Sequence, residues 1–111
     1  METTARPMTC TVPLVQVSVT EDVDHTTVPR LVKAFRDILA LRPEHVVVDL
    51  AACRVLDAAG IEMLLDVHRT LWRQNARLTL RSISPRLRRL LTIARATQVL
   101  DISPDEDDRT R

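Results

Sequence analysis

The run Val46-Val47-Val48-Asp49-Leu50 constrains the fold of this chain more than any other segment. A continuous stretch of β-branched residues, interrupted only by Asp49, is typical of a strand that is buried on both faces. A sheet with one solvated face would instead show alternation of apolar and polar residues. The run therefore indicates an α/β domain, in which helices pack on a sheet.

Helical periodicity flanks this run on both sides. Residues 26–41 are predicted to form a helix whose apolar side chains lie along one stripe. Thr26 or Thr27 can cap this helix, and Pro43 should end it. A second helix should follow the N-cap Asp57 and end near Asn75, because Asn tolerates the left-handed conformation that ends helices. Its predicted buried stripe consists of Ile61, Leu64, Leu65, Leu71 and Trp72.

Three further segments have strand character, and a third helix lies among them. Residues 11–19 and 77–83 alternate, and residues 99–102 suit a short final strand. Pro13 makes residues 8–12 at best a separate edge strand. The helix should open at Ser84-Pro85 and bury Leu87, Leu90, Leu91 and Ala94. We expect a four- to five-stranded, mostly parallel mixed sheet flanked by three to four helices, with one antiparallel element near the start.

The length of 111 residues and the hydrophobic content of 45% predict a single domain with a modest core. We place this domain at residues 8–102, between a disordered N-terminus (residues 1–7) and a charged, disordered tail (residues 103–111). No apolar run approaches the roughly 20 residues of a membrane span, so we expect a cytoplasmic protein. Cys10 and Cys53 are interpreted as reduced, buried thiols that could form one disulfide at most.

Gly60 is the only glycine in the chain. A Walker A loop needs two glycines and a dinucleotide-binding fingerprint needs three, because backbone amides must approach the phosphates closely. Both nucleotide-binding motifs are therefore excluded. We expect no cofactor.

Candidate catalytic and metal-binding residues do not form a recognisable site. The acidic and histidine side chains of the Asp22–His25 loop are common in turns, so a capping role is favoured over a metal site. Asp49 suits a strand end and Asp57 a helix cap better than they suit a pair for acid–base catalysis. His68 borders an apolar stripe and is interpreted as a packed side chain. We therefore predict a protein that is not an enzyme, with no catalytic or metal-binding residues.

Charge is strongly segregated along the chain. The net charge is −4 over residues 1–66, +8 over residues 67–100 and −3 over residues 101–111. The eight arginines of the middle segment could bind an anionic partner, or they could be solvated surface residues. The only aromatic residues are Phe35 and Trp72, which disfavours single-stranded nucleic acid as the partner.

The segment from Val46 to Leu65 resembles the STAS domain, the family of anti-sigma factor antagonists. In that family a hydrophobic strand leads through a short loop to Asp-Ser-(Ser/Ala/Thr)-Gly and an apolar helix; here the corresponding residues are Asp57-Ala58-Ala59-Gly60. The likeness covers residues 8–102: residues 20–24 and 27–31 resemble the turn and first helix of the family, and residues 77–81 and 85–94 its fourth strand and third helix. The resemblance implies the STAS fold.

The same resemblance implies a role in partner switching. In the family, the serine after the loop aspartate is phosphorylated by a partner that is both serine kinase and anti-sigma factor, and the unmodified form binds that partner. The equivalent residue is Ala58, which has no hydroxyl group and is not phosphorylatable, and Ala59 offers no substitute. Binding by this chain would then resemble that of a permanently unmodified antagonist. Modification of Thr70, Ser82 or Ser84 stays open.

Three functions are open at this point. The first is a non-enzymatic, anti-sigma factor antagonist-like module that regulates transcription in a bacterial cytoplasm by binding an anti-sigma factor/serine kinase-like protein of the histidine-kinase-like ATPase fold. The second is a structural STAS subunit of a lipid-transport or signalling complex. The third, least favoured, is an arginine-rich module that binds anions or nucleic acid. A homodimer is compatible with each of them.

For the first function, we expect the partner-binding surface to centre on seven residues: Asp24, Asp57, Ala58, Ala59, Gly60, Glu62 and Met63. Met63 lies off the main apolar stripe, so it is either an exposed anchor or packed under a neighbouring loop. We interpret Gly60 as kept for the close approach of a partner.

Overall fold

The computed structural model describes residues 13–102, in which strands and helices alternate as predicted. The elements are β1 (Leu14–Ser18), α1 (Val28–Ala40), β2 (His45–Asp49), α2 (Ala58–Arg73), β3 (Arg77–Arg81), α3 (Pro85–Ile93), a short 3₁₀ turn (Ala96–Gln98) and β4 (Asp101–Ile102). The expected strand at residues 8–12, the antiparallel element and both predicted disordered ends lie outside the described residues.

The four described strands form one parallel sheet in the order β1-β2-β3-β4, which is also their order in the chain. The register aligns Val15 with Val46 and Val46 with Leu78, and two residues further along it aligns Val48 with Leu80. All carboxyl ends of these strands therefore meet at one edge of the sheet, which we call the carboxyl edge. The loops into α1, α2 and α3 leave from this edge.

The hydrophobic core lies between the helices and one face of the sheet. Alternate strand residues point to this face, and Val46, Val48, Leu78 and Leu80 are buried there with side chains of the three helices: Phe35, Leu64, Leu71, Leu87 and Leu91. Each fully buried aliphatic side chain contributes about 1.5–3 kcal/mol. On the opposite face Val47 is also buried, which agrees with the prediction that the valine run is buried on both sides.

All three helices begin at predicted N-cap residues, and two of these residues cap their helix with the side chain. The Asp57 carboxylate accepts a hydrogen bond from the Gly60 N–H, and the Ser84 hydroxyl accepts one from the Leu87 N–H at 3.1 Å. Asn75 has the left-handed φ of 61° just after α2. Thr27 is the N-cap residue of α1, as predicted, but its side chain makes no capping hydrogen bond.

The predicted buried faces of α2 and α3 need correction. Trp72 is 69% exposed rather than buried, and Leu65 is only half-buried, whereas Met63 and Val67 are buried. The buried stripe of α2 is turned toward Met63 and Val67 because α1 packs on that side, where Phe35 lines the same groove. In α3, Leu87 and Leu91 are buried as expected and Leu90 is half-buried, but the C-cap Ala94 is exposed.

Two further features concern cysteine and membrane insertion. Cys53 is buried and free, as expected, and Cys10 lies outside the described residues. None of the helices within residues 13–102 has the length and apolar character needed to span a membrane.

Candidate functional site

Two loops meet at the carboxyl edge of the sheet and build the candidate site. The β1–α1 loop contains Val23, whose N–H donates to the carbonyl oxygen of Val55 at 2.8 Å. The Asp57 N–H in turn donates to the carbonyl oxygen of Val23 at 3.1 Å, so the loops are joined by a short parallel β-bridge. This bridge brings Asp24 and Asp57, which are far apart in sequence, to the same surface.

Asp57 connects the two loops through both oxygens of its carboxylate. Its Oδ1 accepts from the Gly60 N–H at 3.0 Å, and its Oδ2 accepts from the His25 N–H at 3.0 Å. The His25 Nδ1 lies 3.6 Å from the same Oδ2. These donors, with the Gly60 N–H as the largest influence, lower the pKa of Asp57. The residue is therefore a fixed, ionised carboxylate at the positive end of α2.

Asp24 organises the β1–α1 loop. Its Oδ1 accepts from the Thr26 N–H at 2.9 Å, from the Thr26 hydroxyl, and from the Thr27 N–H at 3.2 Å. The bond from the Thr26 hydroxyl is the main reason that the pKa of Asp24 is lowered. The carboxylate thus satisfies the backbone ahead of α1, which is the task expected of the threonines. We expected Asp24 to contact a partner. In the structure, its hydrogen bonds order the loop that forms part of that expected surface.

Gly60 has a structural role in addition to the expected one. The residue is buried in the first turn of α2, and a Cβ there would lie 2.5 Å from Val23 Cγ1 and 2.8 Å from Leu56 Cδ1. Such distances are far inside van der Waals contact. The chain itself therefore requires glycine here, since the atoms that approach position 60 belong to the two bridged loops, and the approach of a partner stays a prediction.

The remaining predicted site residues divide by exposure. Ala58 and Glu62 are exposed and Ala59 is half-buried, so all three lie at the surface of the first turns of α2. Met63 is only 4% exposed and packs in the core. The hypothesis that Met63 is an exposed anchor is wrong, and the alternative of a packed side chain is confirmed.

The structure adds two residues to this surface that the sequence analysis did not place there. His25 has an 80% exposed side chain beside the Asp57 carboxylate. Val55, 40% exposed, lies in the loop that leads to Asp57. Val55 belongs to the apolar pair Val55-Leu56 that ends this loop, which is visible in the sequence. Only the β-bridge reveals that His25 is a neighbour of Asp57.

The other polar candidates from the sequence lie in separate environments. Asp49 accepts from the Arg81 guanidinium at 3.1 Å and from the Ala51 N–H at 2.8 Å. It therefore links the carboxyl ends of β2 and β3. His68 lies beside Trp72, with 6.0 Å between the ring centroids. Within residues 13–102, no three His, Cys, Asp or Glu side chains are grouped so that they could hold a metal ion. The site is a small surface of apolar and carboxylate groups, which suits recognition of another protein.

Several solved structures share the fold of this chain. An anti-sigma factor antagonist from Mycobacterium paratuberculosis is 25% identical, with a TM-score of 0.75 over 86% of this chain and 80% of that chain. The anti-sigma factor antagonist SpoIIAA in its unphosphorylated form is 16% identical, with a TM-score of 0.67 over 91% and 88%. A sulfate transporter family protein from Wolinella succinogenes is 18% identical, with a TM-score of 0.73 over 92% and 87%.

No curated protein matches the sequence significantly. The family model of the STAS domain matches residues 6–109, which is nearly the whole chain. This match agrees with the α/β fold and with the position of Asp57 before α2. The chain belongs to the STAS domain family.

Proposed function

We propose that this chain is a non-enzymatic, anti-sigma factor antagonist-like module that binds an anti-sigma factor or serine kinase of the histidine-kinase-like ATPase fold. The observation that carries the proposal is the position of Ala58. This residue is exposed, begins α2 and follows the capping Asp57, where the resemblance to the antagonists places a phosphorylated serine. The methyl group of Ala58 keeps the surface in the state that corresponds to an unmodified antagonist.

The charges around Ala58 explain why modification at this position would act on a partner. Asp24, Asp57 and Glu62 already place carboxylates at this surface. A phosphate would add a charge of about −1.5 to −2 and a bulky group among them. The N-terminus of α2 would itself tolerate that charge. The phosphate would therefore weaken the binding of a docked protein rather than destabilise the helix. This chain avoids that loss of binding because residue 58 is alanine.

The exposed groups indicate what the partner should present. Val55, Ala58 and Ala59 give the surface an apolar centre, and Glu62 and His25 are exposed polar groups next to it. A complementary partner would place apolar side chains over Ala58 and cationic side chains near the carboxylates. Rigid docking suits this surface, because the bridge between Val23 and Leu56 fixes both loops.

The test is titration calorimetry of the purified chain with each ATPase-fold serine kinase of the same cell. We expect one kinase to bind the native chain, and Ala58→Asp to weaken that complex at least about tenfold because it adds a carboxylate at the centre of the contact. Ala34→Asp, on the exposed side of α1, adds the same charge elsewhere and should leave the affinity unchanged.

A second variant tests the role of the missing hydroxyl group. Ala58→Ser restores a phosphate acceptor at the start of α2. The bound kinase should transfer the γ-phosphate of ATP to this hydroxyl group, which leaves ADP, and the phosphorylated chain should then dissociate from the kinase. The native chain should gain no phosphate at residue 58. If none of the kinases binds, the proposal fails. Equal affinities for the native chain and Ala58→Asp would place the interface elsewhere.

A further inference from the structure

Trp72 is the only tryptophan of the chain, and its side chain stands in solvent near the C-terminal end of α2. It lies between two surface depressions. One, of about 410 Å³, is lined by Trp72 together with His68, Arg69, Arg73 and Val99. The other, of about 590 Å³, is also lined by Trp72, and Glu44, His45, Ala76 and Arg77 are among its other lining residues. We call this area the Trp72 surface.

The apolar part of the Trp72 surface joins two segments of the chain. Val99, which follows the 3₁₀ turn, is 51% exposed and shares the first depression with Trp72. The His68 ring supports the indole from the preceding turn of α2, with its plane tilted by 34°. A large aromatic side chain is therefore held in position by its neighbours while most of its area faces water. Such residues are enriched among the few that dominate binding energy at protein interfaces.

Arginine is the most frequent charged residue around the indole, since Arg69, Arg73 and Arg77 line the two depressions together with one acidic residue, Glu44. Arg69 pairs with Asp66 at 2.6 Å, but Arg73 has only a 3.4 Å contact with the Thr70 hydroxyl and no carboxylate partner within residues 13–102. Arg77 borders the second depression. Residues 67–100, which supply most of the surface, contain no acidic residue, and three of their eight arginines line the two depressions. Arginine and tryptophan together form the composition typical of interface hot spots.

We propose that the Trp72 surface docks an acidic segment of a partner protein, which places an apolar side chain against the indole and carboxylates against Arg73 and Arg77. Nucleic acid is a poorer fit, since a single aromatic side chain provides no succession of stacking platforms. A membrane is also a poorer fit, since Trp72 and Val99 are only two apolar contacts.

The position of the Trp72 surface makes it independent of the site at Ala58. The two lie at opposite ends of α2, whose 16 residues span about 24 Å. A partner at one end leaves the other end accessible. The chain can therefore connect two proteins through one rigid helix, and the Trp72 surface can be tested whether or not a kinase binds at Ala58.

The test uses the fluorescence of Trp72 itself. The probe is a synthetic amphipathic peptide with leucines at helical spacing and glutamates elsewhere, without tryptophan or tyrosine. We expect a saturable blue shift of the Trp72 emission, weakened by added NaCl. The same peptide with lysine in place of glutamate should give no shift. If the Trp72 emission does not shift at any concentration of the glutamate peptide, or shifts equally with the lysine peptide, the proposal is overturned.

Variants separate a specific surface from general positive charge. Arg73→Glu should weaken peptide binding at least about tenfold, and the milder Arg73→Gln should weaken it less without reversing the charge at the helix end. Arg36→Glu, on the exposed side of α1, makes the same charge change elsewhere and should bind as the native chain does. Equal weakening by Arg36→Glu contradicts the proposal. So does a tighter response to duplex DNA or to phosphatidylglycerol vesicles than to the acidic peptide.

Discussion

Gly60 packs directly against Val23, so that a Cβ at position 60 would lie 2.5 Å from the Cγ1 and 3.0 Å from the carbonyl oxygen of Val23. The same carbonyl accepts from the Asp57 N–H, and Val23 is almost completely buried. The contact therefore sets how closely α2 approaches the β1–α1 loop. The contact between Gly60 and Val23 therefore holds together the two segments that form the candidate surface.

Gly60→Ala should lower the free energy of unfolding by about 1–2 kcal/mol. Overpacking of this kind usually costs about 1–3 kcal/mol, and the better helix propensity of alanine offsets up to about 1 kcal/mol of that. Urea unfolding measures the change. The control is a double-mutant cycle with Val23→Ala, which removes the Cγ1 atom. The two substitutions should be less than additive, and simple additivity would show that the contact is not responsible.

Asp57→Asn should reduce the dependence of stability on pH. The pKa of Asp57 is lowered in the folded chain, so its stabilising contribution is complete above the ordinary carboxyl range, near pH 4, and is lost as the pH falls through the folded pKa. The amide keeps an acceptor for the Gly60 N–H but cannot titrate. Urea unfolding from pH 7 to pH 3 should therefore show a shallower loss of stability than in the native chain. Asp37→Asn, on the exposed side of α1, is the matched control, and an equal effect there would contradict the assignment.

Thr79→Val should loosen β4 from the sheet. The buried Thr79 hydroxyl donates to Asp101 Oδ2 at 2.9 Å and lies 2.7 Å from His45 Nε2, so it links three neighbouring strands. The loss should be about 1 kcal/mol, because water can replace the hydroxyl at the partly exposed partners. Hydrogen exchange at the amides of residues 100–102 should become faster.

Two further variants define the cause of that effect. Thr79→Ser retains the hydroxyl and should preserve slow exchange in β4. Thr92→Val removes an exposed hydroxyl that bonds only within α3, to the carbonyl oxygen of Arg88, and should change stability by less than about 0.5 kcal/mol. Unchanged exchange in Thr79→Val would mean that the backbone ladder alone holds β4.

Cys53 should be unreactive toward a thiol reagent in the folded chain. Burial raises the pKa of the Cys53 thiol, which donates to the carbonyl oxygen of Val55 at 3.2 Å, so little thiolate forms at neutral pH. In the variant Cys10→Ser, the aromatic disulfide reagent DTNB should label Cys53 only after denaturation. Rapid labelling under native conditions would show that the β2–α2 loop opens readily.

Periodicity predicted the order of helices and strands because each element repeats its own apolar spacing. It did not fix how far each helix is rotated. Trp72 follows Leu71 by 100° around α2, and both could belong to a buried stripe until the position of α1 is known. Since α1 packs on the side of Met63 and Val67, the stripe turns toward them and leaves Trp72 in water.

The candidate site was predictable only in part. The pattern Asp57-Ala58 identifies the start of a helix. Local rules predict both the capping role of Asp57 and the exposure of Ala58. The approach of His25 to Asp57 depends on the bridge between two loops, a contact over 32 positions that no local spacing encodes. The steric reason for Gly60 was missed for the same cause, because Val23 reaches it from the other loop.

The order of the described strands has a consequence for how the chain folds. Each strand pairs only with the strand before it and the strand after it in the sequence. During synthesis, each later β-α unit of residues 13–102 can dock on the strand that precedes it, and none of these described strands waits for a partner that is distant in the sequence. Within residues 13–102 the sheet can therefore grow in the direction of translation, because each new strand pairs at the edge formed by the strand before it.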